Sequence, residues 1–295
     1  MIIGGSNQIH LDLDGELTAT VSMLQIPSVN LRNWGPKLRF SALNHEVERF
    51  QSEVARHLRP FILFGSGDFH HLSAIWLQWI QKPISLLSFD NHPDWDVRPP
   101  RWGCGGWINR ALESRWLESV QVWGCGNFEL NWPHNLFAPK KALQSGRLQV
   151  FPWRERYPKL SICREGAISR DTWRDTFLQQ LSLRRGHALY VTIDLDCLNA
   201  GEFHSNWEHG LFTVDDLAWA IRQVRENTTL IGGDMCGAYS APVYARLTQR
   251  VASTFDHPQQ SPGFVSEAMQ NNHSAILKLW PLLAGADNQK AANNQ

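Results

Sequence analysis

The chain has 295 residues, of which 43% are hydrophobic and 19% are charged. This composition excludes a largely disordered chain and predicts a protein with a sizeable buried core. The 28 basic and 28 acidic residues give a formal net charge of +0, so the overall charge does not favour nucleic acid or an anionic membrane as a partner.

Two further properties bear on where the protein acts. No apolar stretch approaches the ~20 residues that a membrane-spanning helix needs, and residues 1–8 lack the charged and apolar regions of a signal peptide. The five cysteines are scattered and form no Cys-x-x-Cys pair. We therefore expect reduced thiols and a cytoplasmic protein. We also expect a small-molecule substrate, and a homo-oligomer remains open.

In chain order, a segment rich in β-forming residues at 8–22 is followed by alternating strand and helix patterns. Strands are predicted at 61–64, 84–89, 120–123, 148–151, 189–193 and 229–231, and helices at 44–58, 71–81, 107–117, 171–181, 213–226 and 242–253. This alternation predicts the α/β class, with a mostly parallel sheet in a single three-layer α-β-α domain over 1–284. The last residues, 285–295, are rich in Asn, Gln and Ala and are predicted to form a disordered tail.

The most informative motif is Asp90-Asn91-His92-Pro93-Asp94, which follows the buried strand 84–89. A second acidic pair, Asp194 and Asp196, follows strand 189–193. Open α/β sheets place their sites at the carboxyl ends of parallel strands, and alternate residues of an extended segment point to the same side. We therefore expect these side chains to converge.

Carboxylates this close repel one another unless a cation lies among them. Asp90, Asp94, Asp194 and Asp196 carry four negative charges, which two divalent cations would balance. Oxygen donors with one or two imidazoles suit Mn²⁺, Fe²⁺ or Zn²⁺. Two such ions ~3.5–4 Å apart can share a hydroxide and lower the pKa of its parent water from 15.7 to roughly 7. The motifs thus predict a site for two divalent ions.

Two further predicted strand ends carry polar residues. Asp68-Phe69-His70-His71 follows strand 61–64, and Asp234 follows strand 229–231. Either histidine is a candidate ligand, and a local hydrogen bond at a helix N-terminus is the structural alternative. Asp68 and Asp234 are expected to cap helices or to support ligands rather than to bind metal.

Together these motifs resemble those of the ureohydrolase superfamily, which includes arginase, agmatinase and formimidoylglutamase and has the histone deacetylases as fold relatives. The segment Asp90–Asp94 matches the family's Asp-x-His-x-Asp motif. Thr192-Ile193-Asp194-Leu195-Asp196 matches Ser-x-Asp-x-Asp with Thr for Ser, and Gly65–His71 matches Gly-Gly-Asp-His loosely, because Phe69 is inserted. The resemblance covers residues 60 to 245 and implies an arginase-like fold.

The resemblance also implies a centre of two ions, usually Mn²⁺, held by aspartates and histidines. The implied ligands are His70 (with His71 as the alternative), Asp90, His92, Asp94, Asp194 and Asp196. By this resemblance Asp90 and Asp194 bridge the ions, His70 and Asp94 complete one, and His92 and Asp196 complete the other. His70 is preferred because the residues after it are spaced as in the family.

The leading hypothesis is a metal-dependent hydrolase of a linear C–N bond in an amide, amidine or guanidine. The hydroxide bridging the metals would attack the planar carbon, and the resemblance implies that Asp196 passes a proton to the leaving nitrogen. The alternatives are a single-metal deacylase of the deacetylase type and a catalytically silent protein that binds metal or senses a ligand.

Two departures from the family pattern concern the substrate. The family has a histidine in the loop after its second motif, whereas the loop Arg101–Trp107 has none. The family also has a Val-Glu-Val-like segment late in the chain, whereas the roughly corresponding segment here, Met235–Ala238, has no glutamate. Because a guanidinium group needs a carboxylate partner, the second departure argues against arginine or agmatine as the substrate.

Three residues are weaker candidates for the substrate pocket. Cys104 lies in the glycine-rich loop and is a candidate nucleophile, but no base pairs with it in the sequence pattern, so a packed small residue is the simpler interpretation. Asn206 and Trp207 follow the third motif; they either line the pocket or stabilise a loop, and the sequence leaves both open.

Overall fold

The structure is a computed structural model that describes residues 6–157, 162–258 and 265–285. Within these ranges the strands are β1 (Gln8–Asp12), β2 (Ser28–Asn30), β3 (Ser41–Ala42), β4 (Phe61–Phe64), β5 (Ile84–Phe89), β6 (Trp102–Gly103), β7 (Leu117–Trp123), β8 (Leu148–Phe151), β9 (Ala188–Asp194) and β10 (Thr229–Cys236). The α-helices are α1 (Thr18–Leu24), α2 (Gly35–Leu38), α3 (Asn44–Val54), α4 (Ser73–Gln78), α5 (Trp107–Ala111), α6 (Lys140–Gln144), α7 (Trp173–Ser182), α8 (Val214–Asn227), α9 (Leu247–Asp256) and α10 (Val265–Ala284).

Eight of the described strands form one sheet in the order β2-β1-β4-β10-β9-β5-β7-β8, and every pairing in it is parallel. The central strands are long apolar runs, as expected for strands covered on both faces. All six residues of β5 and all four of β4 are buried. The remaining pair, β3 and β6, forms a small antiparallel ribbon.

Helices cover both faces of the sheet. One core contains apolar residues of α3, α4 and α5, such as Phe50 and Trp76, and the other contains residues of α7, α8 and α10, such as Phe177 and Ile221. The predicted α/β class and three-layer arrangement are confirmed. No helix within the described ranges is both long enough and apolar enough to cross a bilayer.

The capping pattern predicted at 213–226 is present, because Thr213 and Asp216 exchange side-chain and backbone hydrogen bonds at the start of α8. The prediction for 229–231 is wrong at its end, since β10 continues to Cys236. Its glycines permit this: a Cβ on Gly233 would lie 2.5 Å from the carbonyl oxygen of Val191 on β9. Asp234 is therefore inside a strand rather than at its end.

Other predicted boundaries also need correction. The β-rich segment 8–22 contains a strand only to Asp12, and its second part begins α1. The helix predicted at 107–117 ends at Ala111, because Leu117 already pairs with Ile84 on β5.

Towards the C-terminus, the helix predicted at 242–253 is found as α9, from Leu247 to Asp256, and α10 was not predicted. Of the predicted tail 285–295, only Gly285 is among the described residues.

Candidate metal centre

Strand order brings the predicted motifs side by side. β9 lies between β5 and β10, and β4 lies on the other side of β10. Phe89 pairs with Ile193, so the next residues, Asp90 and Asp194, lie level at the carboxyl edge of the sheet. Parallel strands carry these residues to the same edge because their directions agree.

The predicted ligands form one buried cluster. His70 Nδ1 lies 3.2 Å from both Asp90 Oδ2 and Asp94 Oδ2, and 3.4 Å from Asp194 Oδ2. On the other side, His92 Nδ1 lies 2.8 Å from Asp196 Oδ2 and 3.6 Å from Asp90 Oδ1. Two of the three-residue groups in this cluster that could each hold an ion share Asp90, namely His70, Asp90 and Asp94, and Asp90, His92 and Asp196.

Asp90 is common to both groups, as expected of a bridging ligand. Buried atoms at the centre have no hydrogen-bond partner among the described residues: Nδ1 of His70, Oδ2 of Asp90 and Oδ2 of Asp196. Buried polar atoms are rarely left unpaired, so these donor atoms fit a bound cation.

The structure distinguishes the two neighbouring histidines. They lie in a 3₁₀ turn, Gly67–Leu72, in which successive side chains point about 120° apart. Only His70 faces the carboxylates. Neither ring nitrogen of His71 has a hydrogen-bond partner among the described residues, and burial lowers its pKa to about 3, with the charge of His70 adding to the effect.

The second nitrogen of each clustered imidazole has an outer partner. His70 Nε2 lies 2.9 Å from Thr192 Oγ1, and Thr192 donates to Asp234 Oδ1 at 2.5 Å. His92 Nε2 lies 3.2 Å from Glu208 Oε2. Such partners fix the ring orientation so that Nδ1 faces the clustered carboxylates. Asp234 accordingly contacts the outer partner of a predicted ligand.

Asp94 is held in an uncommon conformation. Its φ is 45°, in the left-handed region that Asp tolerates better than most residues. The indole of Trp107 donates to its Oδ2 at 2.5 Å and lies against the ring of His70, 4.7 Å between centroids. Sequence reasoning did not identify Trp107, which positions two predicted ligands.

Electrostatics at the cluster favour a cation. Burial, with the charge of Asp90, raises the pKa of Asp94 to about 7, and burial raises that of Asp196 to about 7. Burial lowers the pKa of His70 and His92, but the neighbouring carboxylates outweigh it and raise both well above the usual value. Without a cation the cluster retains protons, which a metal ion would replace.

Four members of the cluster, His92, Asp94, Asp194 and Asp196, line a cavity of about 440 Å³. Its walls include Phe40, Cys104, Glu129, His134, Trp207 and Asp256. A cavity of this volume is large enough for a small organic molecule. His134 was not predicted to lie here, and it comes from a different part of the chain from the loop 101–107, where the family has a histidine.

The three weaker candidates take different positions. Cys104 lines the cavity, but burial raises its pKa well above the usual value, so it is a neutral thiol. Trp207 lines the cavity and stacks on Phe40, with centroids 6.1 Å apart. Asn206 is not among the lining residues; it bonds to Ser66 Oγ and to the backbone of Ser240 and so stabilises the loop.

Asp68, which was predicted to cap a helix or support a ligand, is fully buried and does not reach the cluster. Its Oδ2 accepts from Arg39 Nε at 2.7 Å, and its Oδ1 lies 2.8 Å from His257 Nε2. Burial would raise its pKa, but the contacts with His257 and Arg39 outweigh it and lower the pKa to about 2.

Gly237 lies in the segment Met235–Ala238, which contains no glutamate. Its φ is +110°, and a Cβ there would lie 2.4 Å from Asp194 Oδ1 and 2.5 Å from the backbone nitrogen of Leu195. No side chain fits at this position unless Asp194 moves, so the backbone itself explains this departure.

Comparison with known proteins supports the fold. No family model matches the chain. An uncharacterized protein from Thermotoga maritima is 26% identical over 201 residues, which cover 68% of this chain and 66% of that protein, just under two thirds of its length.

Solved structures match almost the whole chain. Formimidoylglutamase from Bacillus subtilis subsp. subtilis str. 168 has a TM-score of 0.58 at 14% identity, covering 97% of this chain and 88% of that chain. Arginase from Medicago truncatula has a TM-score of 0.57 at 14% identity, covering 96% and 88%. The chain has an arginase-like fold. A formiminoglutamase variant from Trypanosoma cruzi with Mn²⁺ shares it with a TM-score of 0.55 at 13% identity, covering 97% and 95%.

Proposed function

We propose that this protein is a divergent ureohydrolase-like enzyme that hydrolyses a linear C–N bond with two divalent metal ions. The observation that carries the proposal is the pair of ligand groups that share Asp90, beside a cavity that His92, Asp94 and Asp196 of these groups line. Paired metal ions lower the pKa of bound water and polarise the bond to be broken.

The residues have distinct roles in this proposal. Asp90 and Asp194 would be shared by the two ions, His70 and Asp94 would complete one position, and His92 and Asp196 would complete the other. Asp196 also lines the cavity, which supports the proposal that its carboxyl group would pass a proton to the leaving nitrogen. Mn²⁺ is the first ion to test, because the Trypanosoma cruzi protein of the same fold contains it.

Glu129 suggests a substrate that carries a positive charge. It lines the cavity, and its buried Oε2 has no hydrogen-bond partner among the described residues. Burial raises its pKa to about 8, so a cationic group that reached it would stabilise the ionised form. Arginine and agmatine remain poor candidates, because Gly237 supplies no carboxylate beside the metal positions.

The test combines metal analysis with a substrate screen. Protein reconstituted with Mn²⁺ is expected to bind two equivalents and to release ammonia, an amine or urea from at least one linear amide, amidine or guanidine. Asp90→Asn should abolish both properties, whereas Asp215→Asn, which removes an exposed carboxylate on α8, should retain them. A single equivalent that excess metal does not increase would instead support a single-metal deacylase.

A catalytically silent metal-binding protein is the second candidate. Two observations favour it: the loop 101–107 has no histidine, and Gly237 leaves no room for the glutamate of the family pattern. Two bound equivalents with no turnover across the screen would support this function over the enzyme.

A further inference from the structure

Cys236 places a thiol beside the metal ligands. It ends β10 directly opposite Asp194 on β9, and it is 1% exposed. Its Sγ lies 3.5 Å from Asp194 Oδ2. Candidate ligand atoms of Cys236, His70 and Asp194 all lie within 4.8 Å of one another, so they form a third ligand group that overlaps the first.

A second observation points to the same space. His70 Nδ1 is buried and has no hydrogen-bond partner among the described residues, although three carboxylate oxygens lie within 3.4 Å of it. The nitrogen therefore faces a position that a cation would share with Asp194 and the thiol. Cys197 provides a contrast, because it is also buried but packs within the apolar core and belongs to none of the ligand groups.

We propose that Cys236 is a sulfur ligand of the ion held by His70 and Asp194, and that it shifts this position from Mn²⁺ towards a thiophilic ion such as Zn²⁺ or Co²⁺. On binding, the sulfur–metal bond forms as the thiol proton leaves to solvent. Thiolate ligands select Zn²⁺ over the harder Mn²⁺, whose preferred ligands are oxygens. The inference rests on the proposed metal site and specifies the chemistry of one of its positions.

The main test is the absorption spectrum of the protein loaded anaerobically with Co²⁺. A near-ultraviolet sulfur-to-cobalt charge-transfer band is expected in the wild type and in Cys197→Ser, and it should be lost in Cys236→Ser. A wild type that binds Co²⁺ without this band would overturn the role of Cys236 but leave the metal site intact. Failure to bind any divalent ion would overturn the proposed site itself.

Metal selectivity gives a second readout. The loss of an outer-shell partner costs about 10–100-fold in metal affinity, and a direct ligand should contribute at least as much. Cys236→Ser should therefore reduce the preference for Zn²⁺ over Mn²⁺ by about tenfold or more, and an unchanged preference would contradict the proposal.

A third measurement needs no variant, in case Cys236→Ser does not fold. X-ray absorption of the zinc-loaded wild type should show a sulfur neighbour at about 2.3 Å. A spectrum in which zinc has only nitrogen and oxygen neighbours would refute the proposal that Cys236 binds the metal.

Discussion

His70 and Thr192 are joined by a hydrogen bond between Nε2 and Oγ1 that is 2.9 Å long. His70 lies in the turn that follows β4, and Thr192 lies on β9, which β10 separates from β4 in the sheet. Because Thr192 in turn donates to Asp234, its oxygen acts as an acceptor for the ring and sets which nitrogen carries the proton. The hydroxyl at this position thus directs Nδ1 of His70 towards the carboxylates.

Thr192→Val should weaken metal binding on the His70 side by about 10–100-fold, because valine leaves Nε2 without an acceptor. Isothermal titration with Mn²⁺ and Zn²⁺ measures the effect. Ser88→Ala is a matched control, since Ser88 pairs with Thr192 on the neighbouring strand but its buried hydroxyl has no partner among the described residues. Equal losses in both variants would show that the hydrogen bond is unimportant.

Asp90→Asn should empty the site, since it removes a charge shared by both positions. His92→Asn should mainly weaken one ion, because it removes a neutral ligand of one position. Asp234→Asn should retain most metal, with affinity ~10–100-fold weaker. Metal content of the purified variants tests this ranking, which would be wrong if Asp234→Asn lost as much metal as Asp90→Asn.

Gly237→Glu should not create an arginase. The new Cβ would lie 2.4 Å from Asp194 Oδ1, so we expect reduced metal content and no urea release from arginine or agmatine. Gly186→Ala is the control for backbone strain, since its φ is +79° but nothing lies within 4 Å of the added Cβ. The positive φ should cost each variant about 1–3 kcal/mol of stability. Gly237→Glu should cost more, because its Cβ also overlaps the backbone nitrogen of Leu195, and only this change should affect metal. Rapid urea production by Gly237→Glu would contradict this account.

Glu129→Gln should raise KM for a positively charged substrate identified in the screen by about 10–100-fold, because a hydrogen bond to a charged group contributes about 1.5–3 kcal/mol. Two bound metal ions should remain. Glu118→Gln, which alters an exposed carboxylate on β7, should leave KM unchanged. If KM also stays constant in Glu129→Gln, Glu129 does not contact the substrate.

Asp68 should make stability depend on pH in the acid range. Its pKa falls from 3.8 to about 2 on folding, so its contribution is present above pH 3.8 and is lost as the pH falls through about 2. Asp68→Asn should remove this dependence and cost about 3–5 kcal/mol at neutral pH, because Arg39 is left buried without its partner. Urea unfolding between pH 2 and 7 tests this, with the exposed Asp175→Asn as control. Parallel curves for Asp68→Asn and the wild type would argue against the ion pair.

Local patterns in the sequence determine much of this protein. The apolar runs of β4, β5 and β9 identify buried parallel strands, because strand burial depends on residues adjacent in the chain. The chain order also places Asp90, His92 and Asp94 directly after β5, and Asp194 and Asp196 at the end of β9. The sequence alone therefore predicts that these acidic residues lie at the carboxyl edge of the sheet.

Only the tertiary structure decides which side chains meet. The order β4-β10-β9-β5 depends on packing between elements far apart in the chain, and it brings Cys236 beside Asp194. The direction of a 3₁₀ turn selects His70 over His71. Because β9 and β10 lie close together at Gly233, β10 continues past this residue. Asp234 is therefore inside the strand, where it accepts a hydrogen bond from Thr192. These contacts are non-local, and the periodicity of a sequence describes only neighbours along the chain.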